Sequence, residues 1–332
     1  MKRVGIIGCG NIAQVHAWVL QDIKDAELVA VCDTDIAKAH ELSQKWTAGK
    51  AMVFTDWREL CLTEVDVVHI CTPHHLHVPM ALEALKQGKA VLMEKPCAIS
   101  REEFEQLKEM ASRKPGKLGF CFQNRYNDTT LLMNDLVSQG VIGELTGGRA
   151  FVTWRRDEAY YEGSDWKGKP CTEGGGALIN QSIHTLDLLL HFLGVPKQVQ
   201  ATMSNHHLKG KISVEDTVEA WMEFKDGKRA CFYASNGYVT DAPVILELQG
   251  TGGRITMNGP EVAVWTPDEG IRHILCEQKD GIGKGYWGCG HEACINDFYR
   301  CLEQKETFQG NIAGVENTFD TMMKIYEAAG GK

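Results

Sequence analysis

The chain opens on Arg3-Val4-Gly5-Ile6-Ile7, which runs without a spacer into Gly8-Cys9-Gly10-Asn11-Ile12-Ala13 and then into a helical pattern over about 12–20. A short β-branched run of this kind is what a parallel strand covered by helices on both faces requires. Gly8 makes the tight turn, Gly10 lets a pyrophosphate approach the backbone, and Ala13 keeps helix and strand close. A second apolar strand, 28–32, ends in Asp33, 23 residues past Gly10. A carboxylate there is placed to bond the hydroxyls of an adenosine ribose and to repel a 2'-phosphate. No arginine follows in Thr34-Asp35-Ile36-Ala37, so the expected cofactor is NAD, with NADP disfavoured. The ordinary alternative for Asp33 is the cap of the next helix.

Strands at 51–54, 65–71 and 91–96 alternate with helical patterns at 35–46, 56–62 and 78–87, a spacing that implies parallel pairing. Thr72-Pro73 closes the fourth strand beside the expected nicotinamide position. His74, His75 and His77 follow as a turn and helix start, with His77 placed to touch cofactor or substrate; no carboxylate or cysteine completes a metal set there. Val91-Leu92-Met93-Glu94-Lys95-Pro96 delivers a lysine to the carboxyl end of a buried strand, where ligands of open α/β sheets bind. Pro96 removes a donor and disfavours helix at Lys95, so the chain leaves the sheet there. Glu94 either anchors Lys95 or contacts the nicotinamide side. The bland reading of Lys95 is a solvated lysine after a strand. A last strand at 116–122 follows an amphipathic helix at 101–112.

Beyond residue 123 the period changes to two. Strands are expected at 149–154, 198–204, 217–224, 229–235, 244–249, 254–257 and 261–265, with Asp226-Gly227 as a hairpin turn and helices at 291–304 and 314–329. The predicted fold is therefore α/β plus α+β. An N-terminal Rossmann doubly wound parallel sheet occupies 1–122. An open-faced, mostly antiparallel sheet with helices on one face occupies 123–332 and serves substrate binding and oligomerisation, its C-terminal helices free to pack back on the first domain. The open face is able to meet a partner subunit.

The net charge of −9 and the lack of a basic run argue against nucleic acid. No segment approaches the ~18 apolar residues of a membrane span, and the first strand is too short for a signal peptide, so a cytoplasmic protein is expected. The 12 cysteines are scattered, several within apolar strands, which fits reduced, buried thiols. Cys289, His291, Cys294 and Cys301 lack paired zinc spacing, and no metal is expected.

Gly174-Gly175-Gly176 opens an apolar helix reaching Gly194. Asn180, His184, Asp187 and His191 sit on it at offsets of four, three and four, within about a 60° arc at 100° per residue. A polar stripe on a buried helix needs a reason. For Asp187 and His191 a structural network serves equally well; Asn180 and His184, beside a flexible triple glycine, are the functional candidates. Upstream, Arg155, Arg156, Tyr160, Tyr161, Trp166 and Lys167 make a loop able to stack on a sugar ring and bond hydroxyl or phosphate, or else to form an interface.

These residues together resemble the glucose-fructose oxidoreductase and inositol dehydrogenase (Gfo/Idh/MocA) family. The motifs that carry the resemblance are the glycine turn, Asp33, Thr72-Pro73 with His77, Glu94-Lys95-Pro96, Gln123-Asn124-Arg125-Tyr126, and the triple glycine with His184. The resemblance implies oxidation or reduction of a sugar or cyclitol by a nicotinamide cofactor, and a homodimer or homotetramer built through the open sheet face. It implies Lys95 and His184 at the reacting carbon, and Asn124 and Arg125 among the substrate contacts. The family's helix commonly carries aspartate where this chain has Asn180. On chemical grounds His184 suits the base and Lys95 the cation facing a developing alkoxide, with Asn180 holding the hydroxyl. A redox-assisted glycosidase and a cofactor-binding regulator are the other readings of such a chain.

Overall fold

The computed structural model describes residues 1–276 and 288–330. The chain divides into two compact units, Met1–Gln123 with Asp280–Val315, and Asn124–Lys279 with Glu316–Lys332.

The first unit is built on six parallel strands: β1 (Lys2–Ile7), β2 (Ala26–Cys32), β3 (Met52–Phe54), β4 (Val67–Ile70), β5 (Ala90–Glu94) and β6 (Leu118–Cys121), in the order β3-β2-β1-β4-β5-β6. The order reverses between β1 and β4, and that reversal opens a crevice at the carboxyl ends of the strands. Val4, Ile6, Val67, Val68, Ile70, Val91, Leu92 and Met93 are fully buried, each contributing about 1.5–3 kcal/mol of transfer free energy. Helices α1 (Asn11–Leu20), α2 (Ile36–Thr47), α3 (Trp57–Leu62), α4 (His74–Lys86) and α5 (Arg101–Arg113) connect the strands. Asp35, Asp56 and Ser100 cap α2, α3 and α5. Helix α4 starts at His74, earlier than its apolar period suggests, because Pro73 supplies the N-cap and Pro79 is tolerated inside the helix. Helix α10 (Gly290–Gln304) belongs to this unit and packs on α1 and β6.

The second unit carries eight strands: β7 (Leu145–Thr153), β8 (Pro196–Ser204), β9 (Thr217–Phe224), β10 (Arg229–Ser235), β11 (Ile245–Gly250), β12 (Gly253–Asn258), β13 (Glu261–Thr266) and β14 (Gly270–Leu275). Their order is β14-β13-β12-β11-β7-β10-β9-β8, antiparallel except where β7 pairs with β10. Asp226-Gly227 turns β9 into β10, with Gly227 at φ +86°. Helix α9 (Ile183–Leu193) lies against β7, and α11 (Ile312–Ala328) ends the described chain. Four elements escape the sequence reading, among them the short helices α7 (Glu158–Glu162), in the stretch expected to be a loop, and α8 (Pro170–Glu173). Helix α6 (Asp128–Ser138) buries Thr129, Thr130, Met133 and Leu136 while Leu131 is exposed, so its apolar residues do not follow one stripe. Strand β14 is an exposed edge without alternation.

Candidate active site

Gly8 lies at φ +88°, and a Cβ there would stand 2.6 Å from the Cys71 carbonyl oxygen, so only glycine fits. A Cβ on Gly10 would meet nothing within 4 Å. That space lies over the N-terminus of α1, which begins at exposed Asn11 and half-buried Ile12 and has no side-chain cap. Uncapped amides beside an open approach are what a dinucleotide pyrophosphate requires. At the end of β2, Asp33 accepts the Cys9 amide through Oδ2 at 2.7 Å and the Asp35 amide through Oδ1 at 2.9 Å. The next helix is capped by Asp35 rather than by Asp33. Asp33 thus braces the glycine turn from the position expected of a ribose acceptor, and the set of residues fits NAD.

Across the switch point, His77 bridges Pro96 O through Nδ1 and Thr72 O through Nε2, both at 2.9 Å. It is fully buried, which pushes its pKa down, so the neutral ring donates its single N–H to one of these two carbonyls. His77 therefore ties Thr72-Pro73 to the Lys95–Pro96 segment, whose peptide bond is cis. Half-buried Lys95 follows β5 directly. Its neighbour Glu94 is buried, with Oε1 at 3.1 Å from His16 Nε2 and 4.0 Å from His291 Nε2. Burial raises the Glu94 carboxyl, but the hydrogen bond and charge of His16, with His291 and Lys95, outweigh it and hold the group down to about 2. Glu94 thus sits inside a polar cluster that includes His69, Cys121, Cys294 and Tyr299, which the sequence reading missed. The signals were present: a histidine in the doubly covered strand Val67-Val68-His69-Ile70, and His16 on the buried face of α1. Of the residues first weighed for zinc, His291 and Cys294 join this cluster. Among the described residues, His16, Glu94 and Cys121 alone group closely enough to hold an ion.

In the second unit Gly175 and Gly176 are closely packed. A Cβ on Gly175 would stand 1.9 Å from the Tyr326 hydroxyl oxygen, and one on Gly176 would stand 2.0 Å from Glu215 O. The buried Glu215 carboxylate accepts the Gly176 amide at 2.9 Å, the Leu178 amide at 3.0 Å and the Tyr326 hydroxyl at 3.1 Å. It thereby caps a π-helical turn, Ala177–Ser182, that precedes α9. The π-helical turn contains Asn180 and ends one residue before α9. Asn180 donates its amide to Glu173 Oε1 at 2.6 Å, and Gly168 N–H donates to Glu173 Oε2 at 2.5 Å. Burial pushes Glu173 up to about 7 against those two bonds. His191 Nε2 pairs with Asn134 Oδ1 at 3.1 Å, while half-buried His184 starts α9.

Arg125 is reassigned. Its guanidinium forks onto Asp187, Nε to Oδ2 at 2.7 Å and Nη2 to Oδ1 at 2.5 Å, and Thr318 Oγ1 donates to the same carboxylate at 2.6 Å. Arg125 and Asp187 are both buried, so the pair holds the fold. Asn124 beside it is half-buried, its Oδ1 without a hydrogen-bond donor. Tyr161 is likewise a core residue: its hydroxyl accepts from Asn236 Nδ2 at 3.0 Å and its ring packs on Leu208, Ile212 and Val214. Tyr160 stays nearer the surface, with Lys167 Nζ 3.7 Å and the Arg156 guanidinium 5.2 Å from its ring centre. Arg156 is buried over Trp154 and donates to Asp241 at 2.9 Å; Trp166 is half-buried beside Lys167.

A 3-2-1-4-5-6 parallel sheet with this glycine turn and carboxylate defines a dinucleotide-binding protein. Residues 2–121 match the model of an oxidoreductase family with an NAD-binding Rossmann fold, and residues 130–256 match the Gfo/Idh/MocA C-terminal domain. The chain belongs to the Gfo/Idh/MocA family and is an NAD-dependent oxidoreductase. It is 35% identical over 244 residues to D-glucoside 3-dehydrogenase of Escherichia coli K12, spanning 68% of this chain and 67% of that one. It is 30% identical to glucose-6-phosphate 3-dehydrogenase of Bacillus subtilis, over 68% and 65%. Its fold is similar to that of levoglucosan dehydrogenase solved with NADH, at a TM-score of 0.87 and 21% identity, over 99% and 97%.

Proposed function

We propose that the protein oxidises a ring secondary alcohol of a sugar or close sugar derivative, a glucoside first among them, or runs the reverse reduction. The observation that carries this is the identity to a glucoside 3-dehydrogenase across two thirds of the chain, joined to a first unit whose glycine turn and Asp33 fit NAD. When bound, NAD takes the hydride. Lys95 supplies the fixed positive charge for the developing alkoxide, and His184 takes the hydroxyl proton, its ordinary pKa range suiting that task near neutrality. Asn180, held by Glu173, orients the substrate hydroxyl. His77 and Glu94 position the loop around Lys95, while Tyr160, Trp166, Arg156 and Asn124 shape the sugar subsite.

The protein acts in the cytoplasm as a homodimer or homotetramer in this reading. Among the described residues no helix is long and apolar enough to cross a membrane. The sheet of the second unit exposes Trp265, Ile271 and Leu275 at its edge, which supports self-association there. The test is NADH formation with NAD and a panel of glucosides, free sugars, sugar phosphates and cyclitols. Turnover with one class establishes the reading. Release of an aglycone without net NADH would make it a redox-assisted glycosidase, and tight NAD binding without either product would leave a regulator.

A further inference from the structure

The buried cluster beneath Glu94 is a continuous chain. Tyr299 Oη stands 2.9 Å from His69 Nε2, His69 Nδ1 stands 2.9 Å from His16 Nδ1, and His16 Nε2 stands 3.1 Å from Glu94 Oε1. His16 and His69 are wholly buried, and Tyr299 and Glu94 nearly so. The members come from α10, β4, α1 and β5, so no local turn explains them. Four polar side chains in a doubly covered Rossmann core are costly unless satisfied.

Two arrangements of protons satisfy the chain. In one, Tyr299 O–H donates to His69, His69 Nδ1–H donates to His16, and His16 Nε2–H donates to Glu94, with both imidazoles neutral. In the other, His16 carries two protons and donates from both nitrogens, and His69 turns its own proton toward the Tyr299 oxygen. The two differ by a single proton, which enters by reversing bonds already made. Around His16 and Glu94 stand His69 from β4 and Cys71 after it, Lys95 after β5, Cys121 from β6, and His291, Cys294 and Tyr299 from α10. Burial opposes a charge on His16, but the two sulfurs and the Glu94 carboxylate prevail and raise its pKa. Burial and the charge on His16 keep His69 neutral. Burial holds His291 down to about 4. The hydrogen bond with Cys294 and burial keep Cys121 a thiol. The charges in the cluster are then one cation on His16 and one anion on Glu94.

We propose that the Tyr299–His69–His16 chain stores a proton that neutralises the Glu94 carboxylate from below and so sets the protonation of Lys95, the adjacent residue. With His16 charged, Lys95 faces a neutral pair and gives up its proton more readily. With His16 uncharged, Lys95 faces a bare carboxylate and is held as ammonium. His16 is thus a positioning residue, acting through Glu94. The proposal draws its interest from the role given to Lys95 above, but its test does not need that role.

The test is the pH dependence of Lys95 acetylation by acetic anhydride, read by mass spectrometry, which reports the lysine pKa without any substrate. His16→Gln keeps a donor to Glu94 but not the charge. It should raise the Lys95 pKa by about one unit, the low end of the shift a nearby charge produces. Adding Glu94→Gln should bring it back to the wild-type value. His69→Leu, which places an apolar residue in an apolar strand, should move Lys95 the same way by a smaller amount, and it serves if His16→Gln does not fold. An unchanged Lys95 in folded His16→Gln or His69→Leu, or a double variant that does not return, overturns the proposal. So does one equivalent of zinc in the purified protein, because His16, Glu94 and Cys121 would then be ligands. Absence of sugar turnover in the wild type, with these lysine shifts observed, would sink the dehydrogenase reading and leave the charge relation standing.

Discussion

Gly8 and Gly10 look alike in the fingerprint but answer to different constraints. A side chain at Gly8 collides with the backbone of Cys71 in a positive-φ conformation, whereas one at Gly10 enters open space. Gly10→Ala should therefore leave the melting temperature unchanged while weakening NAD binding at least about tenfold, which is only 1.4 kcal/mol; calorimetric titration checks it. Gly8→Ala should lower both. Arg125 makes the opposite point. Its motif suggested substrate, yet its fork onto Asp187 is buried. Arg125→Leu should destabilise the chain by about 3–5 kcal/mol, because it strands a carboxylate in the core. Urea unfolding without NAD measures this, and a loss below about 1 kcal/mol would return Arg125 to the substrate site. Residue type and spacing made Gly8, Gly10, Asp33 and Lys95 legible. They could not reveal the structural ties of Arg125 and Tyr161, because the buried partners Asp187 and Asn236 are distant in sequence.

Among the elements, the stretch from Gly174 to Leu193 was legible as a buried helix, and α9 is one. The π turn before it was not, nor was the hydrogen bond from Asn180 to Glu173, a residue with no motif. Glu173 sits near 7 in the folded chain against 4.5 ordinarily. The folded state therefore binds the extra proton between those values. Its stabilising effect is complete below about pH 4.5 and is lost as pH rises through about 7, amounting to about 3 kcal/mol. Glu173→Gln, with the Asn180 amide turned over to accept, lacks this dependence. Relative to wild type it should gain up to about 3 kcal/mol between about pH 4 and pH 8 in urea unfolding. Parallel stability curves for the two proteins would contradict the assignment.

For the molecule as a whole, strand alternation made both architectures readable: apolar runs with helices between them for the parallel sheet, period-two segments for the antiparallel one. The parallel pairing of β7 with β10 and the exposed strand β14 were not readable, since neither leaves a local pattern. Helix α10, one of the C-terminal helices left free to pack back on the first domain, lies in the first unit, where it supplies Tyr299 and His291 to the cluster under Glu94. The proposed hydride transfer from a sugar carbinol, with Lys95 at the reacting centre, can be followed with glucosides deuterated at each ring carbinol carbon in turn, by weighing the recovered cofactor. Wild type should carry label from one ring position, and Lys95→Ala should bind NAD but transfer label at least about 100-fold more slowly. Unlabelled cofactor from every position, or full transfer by Lys95→Ala, would overturn the proposal.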